Sequence, residues 1–226
     1  MGHSINLTTA DGATITAWRA EPVGKPKGGL VVLQEIFGVN AHIRSVADRF
    51  AAVGYLAIAP ALFDRVQPGV EIAYDPADFA KGFEILGKTR KSETMLDILA
   101  AIGVASTAGK VGIVGFCWGG ALAYLSAATL PGLSAAVGYY GGGIAKALPV
   151  TPKIPFMLHF GEADAHIPMS DVANIRAANP GAPVYTYPGA GHAFNRDGNA
   201  AWHAVSAKLA MERTLGFLGQ HLGQHL

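Results

Sequence analysis

Cysteine is almost absent: one residue in 226. A lone thiol closes no internal disulfide, which fits a reducing compartment and leads us to expect a cytoplasmic protein. Charge is scarce as well, with Asp, Glu, Lys and Arg making up 15% of the chain, against roughly 25% in ordinary soluble domains. The formal net charge of +1 offers no attraction to nucleic acid or to an anionic membrane, so neither is expected as a partner. No apolar run is long enough to span a bilayer. The segment from Met1 to Leu7 lacks the basic stretch and apolar core of a signal peptide. Repeats, low-complexity tracts and linkers are missing too, so residues 1–226 are expected to form one domain, as a monomer or small homo-oligomer.

What is present is apolar material, half of all residues, laid out as short runs that alternate with helical patterns. Residues 30–33, 55–59, 111–114, 135–139, 154–160 and 184–187 read as strands, several of them continuous enough to be buried on both faces. Helical periodicity covers 41–53, 77–86, 91–106, the segment up to about residue 130, 170–178 and 200–218. Asn40 is placed to cap the first helix, and Gly54 to end it. Residues 5–9 and 14–18 flank Asp11-Gly12 and read as an antiparallel hairpin. Such alternation predicts an α/β fold with a mainly parallel central sheet, helices on both faces and the hairpin at its edge.

In such sheets, active groups gather beyond the carboxyl ends of the strands. The run 111–114 leads into Gly115-Phe116-Cys117-Trp118-Gly119-Gly120, the pattern of a nucleophile elbow with cysteine at its tip. There the chain turns sharply from strand to helix, so flanking side chains would collide and glycines take their places. The alternative is that Cys117 is a small buried hydrophobe. Asp164 comes after the run 154–160 and His192 after 184–187. The order nucleophile, acid, histidine is that of the α/β-hydrolase triad. In these roles Cys117 attacks an acyl carbonyl, His192 moves the proton, and Asp164 fixes the imidazole tautomer. The backbone N–H groups of Ile36 and Trp118 are candidates for the oxyanion hole. Among the other histidines, His159 reads as a core or rim residue and His166 as a rim residue of the site. His3, His42, His203, His221 and His225 read as solvated. Glu35, at a buried strand end, serves either as a hydrogen-bonding anchor or to tune the thiol. No metal or cofactor is called for.

Glu35-Ile36-Phe37-Gly38-Val39-Asn40, the elbow, Gly138-Tyr139-Tyr140-Gly141 and Gly191-His192-Ala193-Phe194 together resemble the dienelactone hydrolase family over nearly the whole chain. The resemblance implies an α/β-hydrolase fold and cofactor-free hydrolysis of enol-lactones in the breakdown of aromatic compounds. It maps the triad to Cys117, Asp164 and His192, and gives Glu35 a part in activating the thiol. It also implies that Phe37 and Tyr140 border the substrate. Family members hold the substrate carboxylate with two arginines. Arg196, four residues after His192, matches one, with a solvated loop cation as the alternative reading. At the other position this chain has Phe79, with Lys81 the nearest cation, and Phe83 stands where the family has tyrosine. An apolar residue there favours a less acidic or larger ester. A binding protein on the same scaffold is a second class of function. A redox sensor is a third, although a resolving cysteine is missing.

Overall fold

The computed structural model describes residues 2–223; His225 lies outside them. Eight strands form one sheet in the order β1-β2-β4-β3-β5-β6-β7-β8. β1 (His3–Thr8) and β2 (Thr14–Ala20) are the expected hairpin, and β2 joins β4 (Leu56–Pro60) antiparallel. All other pairings are parallel, through β3 (Gly29–Leu33), β5 (Val111–Phe116), β6 (Leu133–Tyr139), β7 (Phe156–Gly161) and β8 (Val184–Tyr187). Every residue of β3, β4, β5 and β7 is buried, which is why those segments read as unbroken apolar runs rather than alternating ones.

Around the sheet pack α1 (Ala41–Ala52), α2 (Pro76–Leu86), α3 (Lys91–Ala105), α4 (Trp118–Thr129), α5 (Ile144–Ala147), α6 (Met169–Ala178) and α7 (Ala204–Leu222). Asn40 caps α1 as expected, its Oδ1 accepting from the Ile43 N–H at 3.2 Å, while its amide donates to the Ile72 carbonyl and the Tyr74 hydroxyl. Asp75 caps α2 in the same way, with Pro76 in the first turn, where a missing N–H loses nothing.

Some boundaries differ from expectation: β6 begins two residues before 135 and the last helix runs to Leu222, past 218. The last helix starts at Ala204 and not at 200, because Asn199 ties a turn to the Ala201 N–H and His203 supplies the cap. The strand expected from 154 starts at Phe156. The four-residue α5 is too short for periodicity to reveal. Besides the main core, Ile36, Phe37, Phe63, Val70, Ile72 and Ile85 form a smaller apolar cluster. It fastens α2 and the segment before it onto the loop after β3, and so brings α2 over the carboxyl ends of the strands. Among the described residues no helix is long and apolar enough to cross a membrane.

Candidate active site

Cys117 sits between β5 and α4 with φ 55 and ψ −117, a conformation L-residues rarely adopt. Its N–H donates to the Tyr139 carbonyl at 3.0 Å, and its carbonyl accepts from Gly120 and Ala121. The neighbouring glycines are required by contact. A Cβ on Gly115 would lie 1.9 Å from the Gly119 carbonyl oxygen, and one on Gly119 would lie 2.5 Å from that of Gln34. The elbow is therefore a site where three backbones touch, and the half-buried Cys117 is the side chain left projecting from it.

The loops after β7 and β8 bring the other two groups to it. His192 Nε2 lies 3.2 Å from Cys117 Sγ, and Nδ1 lies 2.8 Å from Asp164 Oδ2. The Asp164 side chain is wholly buried and its other oxygen accepts the His166 N–H at 2.8 Å. Burial alone would disfavour a protonated imidazole. The hydrogen bonds and negative charge of Asp164 and Cys117 outweigh it and push His192 up to about 10. Burial likewise raises the Asp164 carboxyl, but the bond to His192 and that residue's charge leave it below the ordinary value. Both neighbours thus favour a protonated imidazole at His192.

Two backbone N–H groups, those of Ile36 and Trp118, have no protein acceptor among the described residues. Both residues border the same cavity as Cys117, with a volume of about 300 Å³. His166 borders it too, its ring edge-on to His192 at 5.2 Å, the rim position the sequence suggested.

Other expected site residues are placed differently. Arg196 lines the cavity but is almost fully buried, and it is no solvated loop cation. Its Nε and Nη2 donate to the two carboxylate oxygens of Glu35 at 3.0 and 2.8 Å, and its plane lies against the rings of Phe37 and Tyr74. The fork expected to be free for a substrate carboxylate is occupied, and so is the carboxylate expected to act on the thiol. Lys81 is exposed and does not border the cavity. Tyr140 is fully buried behind His192, with its hydroxyl unpartnered, and does not border the cavity either. Phe37 does.

His42 is not solvated, as its helix position suggested, but buried, with Nδ1 on Asp197 and Nε2 unpartnered. His159 is a core residue as read, bonded to Tyr187 and Thr214, and burial depresses it to about 3. The sequence reading did not identify Leu86 or Gly142 as part of the cavity wall. Nothing in local spacing marks Leu86, since α2 reaches the site only through the smaller core cluster. No three His, Cys, Asp or Glu side chains are grouped to hold a metal ion among the described residues.

A mostly parallel sheet with a strained elbow after its central strand, and an acid and a histidine on later loops, defines an α/β-hydrolase. The dienelactone hydrolase family model matches residues 15–222, and the chain belongs to that family. It is an ester hydrolase of the dienelactone hydrolase type. The carboxymethylenebutenolidase of Pseudomonas putida is 37% identical over 228 residues, covering 96% of this chain and 95% of the relative. That of Pseudomonas knackmussii matches equally. A crystal structure of a proposed dienelactone hydrolase from Klebsiella pneumoniae superposes with a TM-score of 0.83 at 33% identity, over 98% of this chain and 100% of that one. A dienelactone hydrolase-like promiscuous phosphotriesterase from metagenomic libraries shares the fold, with a TM-score of 0.74 at 21% identity over 97% and 98% of the two chains.

Proposed function

We propose that the protein hydrolyses a small lactone or carboxylic ester through Cys117 and a thioester intermediate. The observation that carries this reading is the unbroken line from Cys117 Sγ through His192 to Asp164, at 3.2 and 2.8 Å. The carboxymethylenebutenolidases at 37% identity support the substrate class.

Cys117 sulfur attacks the acyl carbon, and the carbonyl oxygen takes the electron pair as an oxyanion facing the Ile36 and Trp118 N–H groups. As the oxyanion collapses, the bond to the leaving oxygen breaks and His192 gives that oxygen its proton. The thioester remains on Cys117. Neutral His192 then takes a proton from water, hydroxide adds to the thioester carbon, and thiolate departs as the acid forms. Asp164 holds the imidazole in one tautomer throughout. Glu35 acts as a positioning residue: pinned by Arg196, it fixes the backbone of the adjacent Ile36.

The test is intact-protein mass spectrometry after rapid acid quench with a slowly deacylating ester. An adduct of the acyl mass on the peptide holding Cys117, absent in Cys117→Ala, is expected. Turnover by Cys117→Ala at the wild-type rate would refute the reading.

A further inference from the structure

The order of strands sorts part of the cavity wall into two flanks. Ile36 follows β3 and Trp118 follows β5, so the oxyanion donors of the mechanism above stand on one side. Gly142 follows β6 and His166 follows β7, so both stand on the other, between the elbow and the strand that leads to His192. This second flank is open: a Cβ on Gly142 would meet nothing within 4 Å. It also holds an unspent polar group. Cys117 and His192 bond each other, and Arg196 is engaged by Glu35. The ring of His166 has no hydrogen-bond partner among the described residues. Its backbone is nevertheless fixed, by the Asp164 carboxylate on its N–H and by the buried Ile167 that follows. The ring stands edge-on to His192, with centroids 5.2 Å apart. Even a neutral imidazole carries one N–H, so His166 can donate a hydrogen bond without titrating. Ligand pockets fix orientation with a few such groups set in otherwise apolar walls.

We infer that Gly142 and His166 form the subsite for the leaving group, and that the His166 ring donates to an oxygen carried by the alcohol part of the substrate. The inference rests on the hydrolase reading above. Its logic is positional. His192 has to give its proton to the leaving oxygen, while the carbonyl oxygen faces Ile36 and Trp118. The leaving group therefore departs across the flank where His192 and His166 stand. A second oxygen a few bonds beyond the ester oxygen then comes within reach of the His166 ring. The substrate class is an ester or lactone whose leaving alcohol or enol bears a carbonyl or hydroxyl group. His166 is a specificity-determining residue that acts on acylation and takes no part in the triad.

The experiment compares 3-acetylphenyl acetate with 3-isopropenylphenyl acetate, leaving groups of one shape in which a carbonyl oxygen is replaced by a methylene carbon. Both esters give the same acetyl-enzyme, so kcat/KM isolates acylation. The ratio of wild type to variant on each ester cancels the acidity of its phenol. His166→Phe is expected to lower kcat/KM for the acetyl ester by about two- to tenfold, one hydrogen bond's worth, and to leave the isopropenyl ester nearly unchanged. His166→Gln keeps an N–H and should recover most of that loss. Gly142→Val adds carbons where no neighbour stands, and should slow both aryl acetates more than vinyl acetate, whose leaving group is small. An equal fall on the two aryl esters in His166→Phe, or no fall on either, overturns the inference, as does a Gly142→Val effect that ignores leaving-group size. Each of those results leaves the hydrolase reading standing. Failure to cleave all three esters, without acylation of Cys117, removes that reading and this inference with it.

Discussion

Replacing Arg196 with methionine keeps most of the side-chain volume and removes the charge together with the two hydrogen bonds to Glu35. In the folded protein Glu35 is 1% and Arg196 4% exposed, and their contact is bidentate at 3.0 and 2.8 Å. Without the guanidinium, a carboxylate is left in a pocket walled by Phe37 and Tyr74. Breaking a buried pair from one side costs about 3–5 kcal/mol. For a domain of this size each kcal/mol lowers Tm by roughly 2–4 °C, so a fall of roughly 6–20 °C is expected. The double variant Glu35→Gln/Arg196→Met removes both charges and should recover much of that loss. Urea unfolding at neutral pH of the two single variants and the double variant measures the coupling directly. A loss below about 1 kcal/mol for Arg196→Met, or strictly additive losses in the double variant, would show that the pair is not a buried, mutually dependent unit. The same variants report on catalysis. If Glu35 positions the Ile36 N–H, Glu35→Gln lowers kcat by up to about 10²-fold with KM little changed.

The remaining predictions concern the array, the elbow and the cap. The folded protein holds the His192 proton up to about 10, above its ordinary 6.5, so the stability this contributes is complete below 6.5 and is lost as pH rises through about 10. In the proposed mechanism His192 carries a proton to the leaving oxygen, so kcat/KM should fall over the same alkaline limb. In Asp164→Asn that limb should move to lower pH, and an unmoved limb would mean another group controls it. Gly119→Ala forces a Cβ to 2.5 Å from the Gln34 carbonyl oxygen and should cost about 3 kcal/mol or more, read by chemical denaturation; wild-type stability would contradict the close approach. Asn40→Ala loses a helix cap together with two bonds to the segment before α2 and should cost about 2 kcal/mol in urea unfolding. A thiolate is a better leaving group than an amine, so matched esters should be cleaved far faster than amides; equal rates would contradict a thioester route.

The parts of the structure legible in the sequence are those that local rules determine. The strands could be read because burial on both faces leaves an unbroken apolar run, and the elbow because its glycines stand at fixed offsets from Cys117. Asp164 and His192 could be read because each stands just beyond the end of a strand, a topological rule that needs no contact information. The features that escaped depend on distant partners. Arg196 and Glu35 are 161 positions apart, and nothing near either one shows that they neutralise each other. His42 looked solvated because helix position alone does not reveal Asp197 from a loop after β8. Leu86 lines the site only because Ile36, Phe37 and Ile85 draw α2 across the strand ends.

These long-range contacts form one mechanical path. Asp197 is held by Arg49 and His42 of α1. Its neighbour Arg196 is thereby fixed to α1, and Arg196 holds Glu35, whose neighbour is Ile36. Each step is a single peptide bond or a polar contact, so the path has little slack. An oxyanion donor is useful only if it stays within a few tenths of an ångström of where charge develops. The Trp118 N–H has that rigidity from the elbow itself. The Ile36 N–H lies on a loop, and in the proposed mechanism the chain of charges from α1 would hold it in place. Under the proposed mechanism a carboxylate buried at that point has a reason to be there, since an apolar pair would fill the same space without fixing direction.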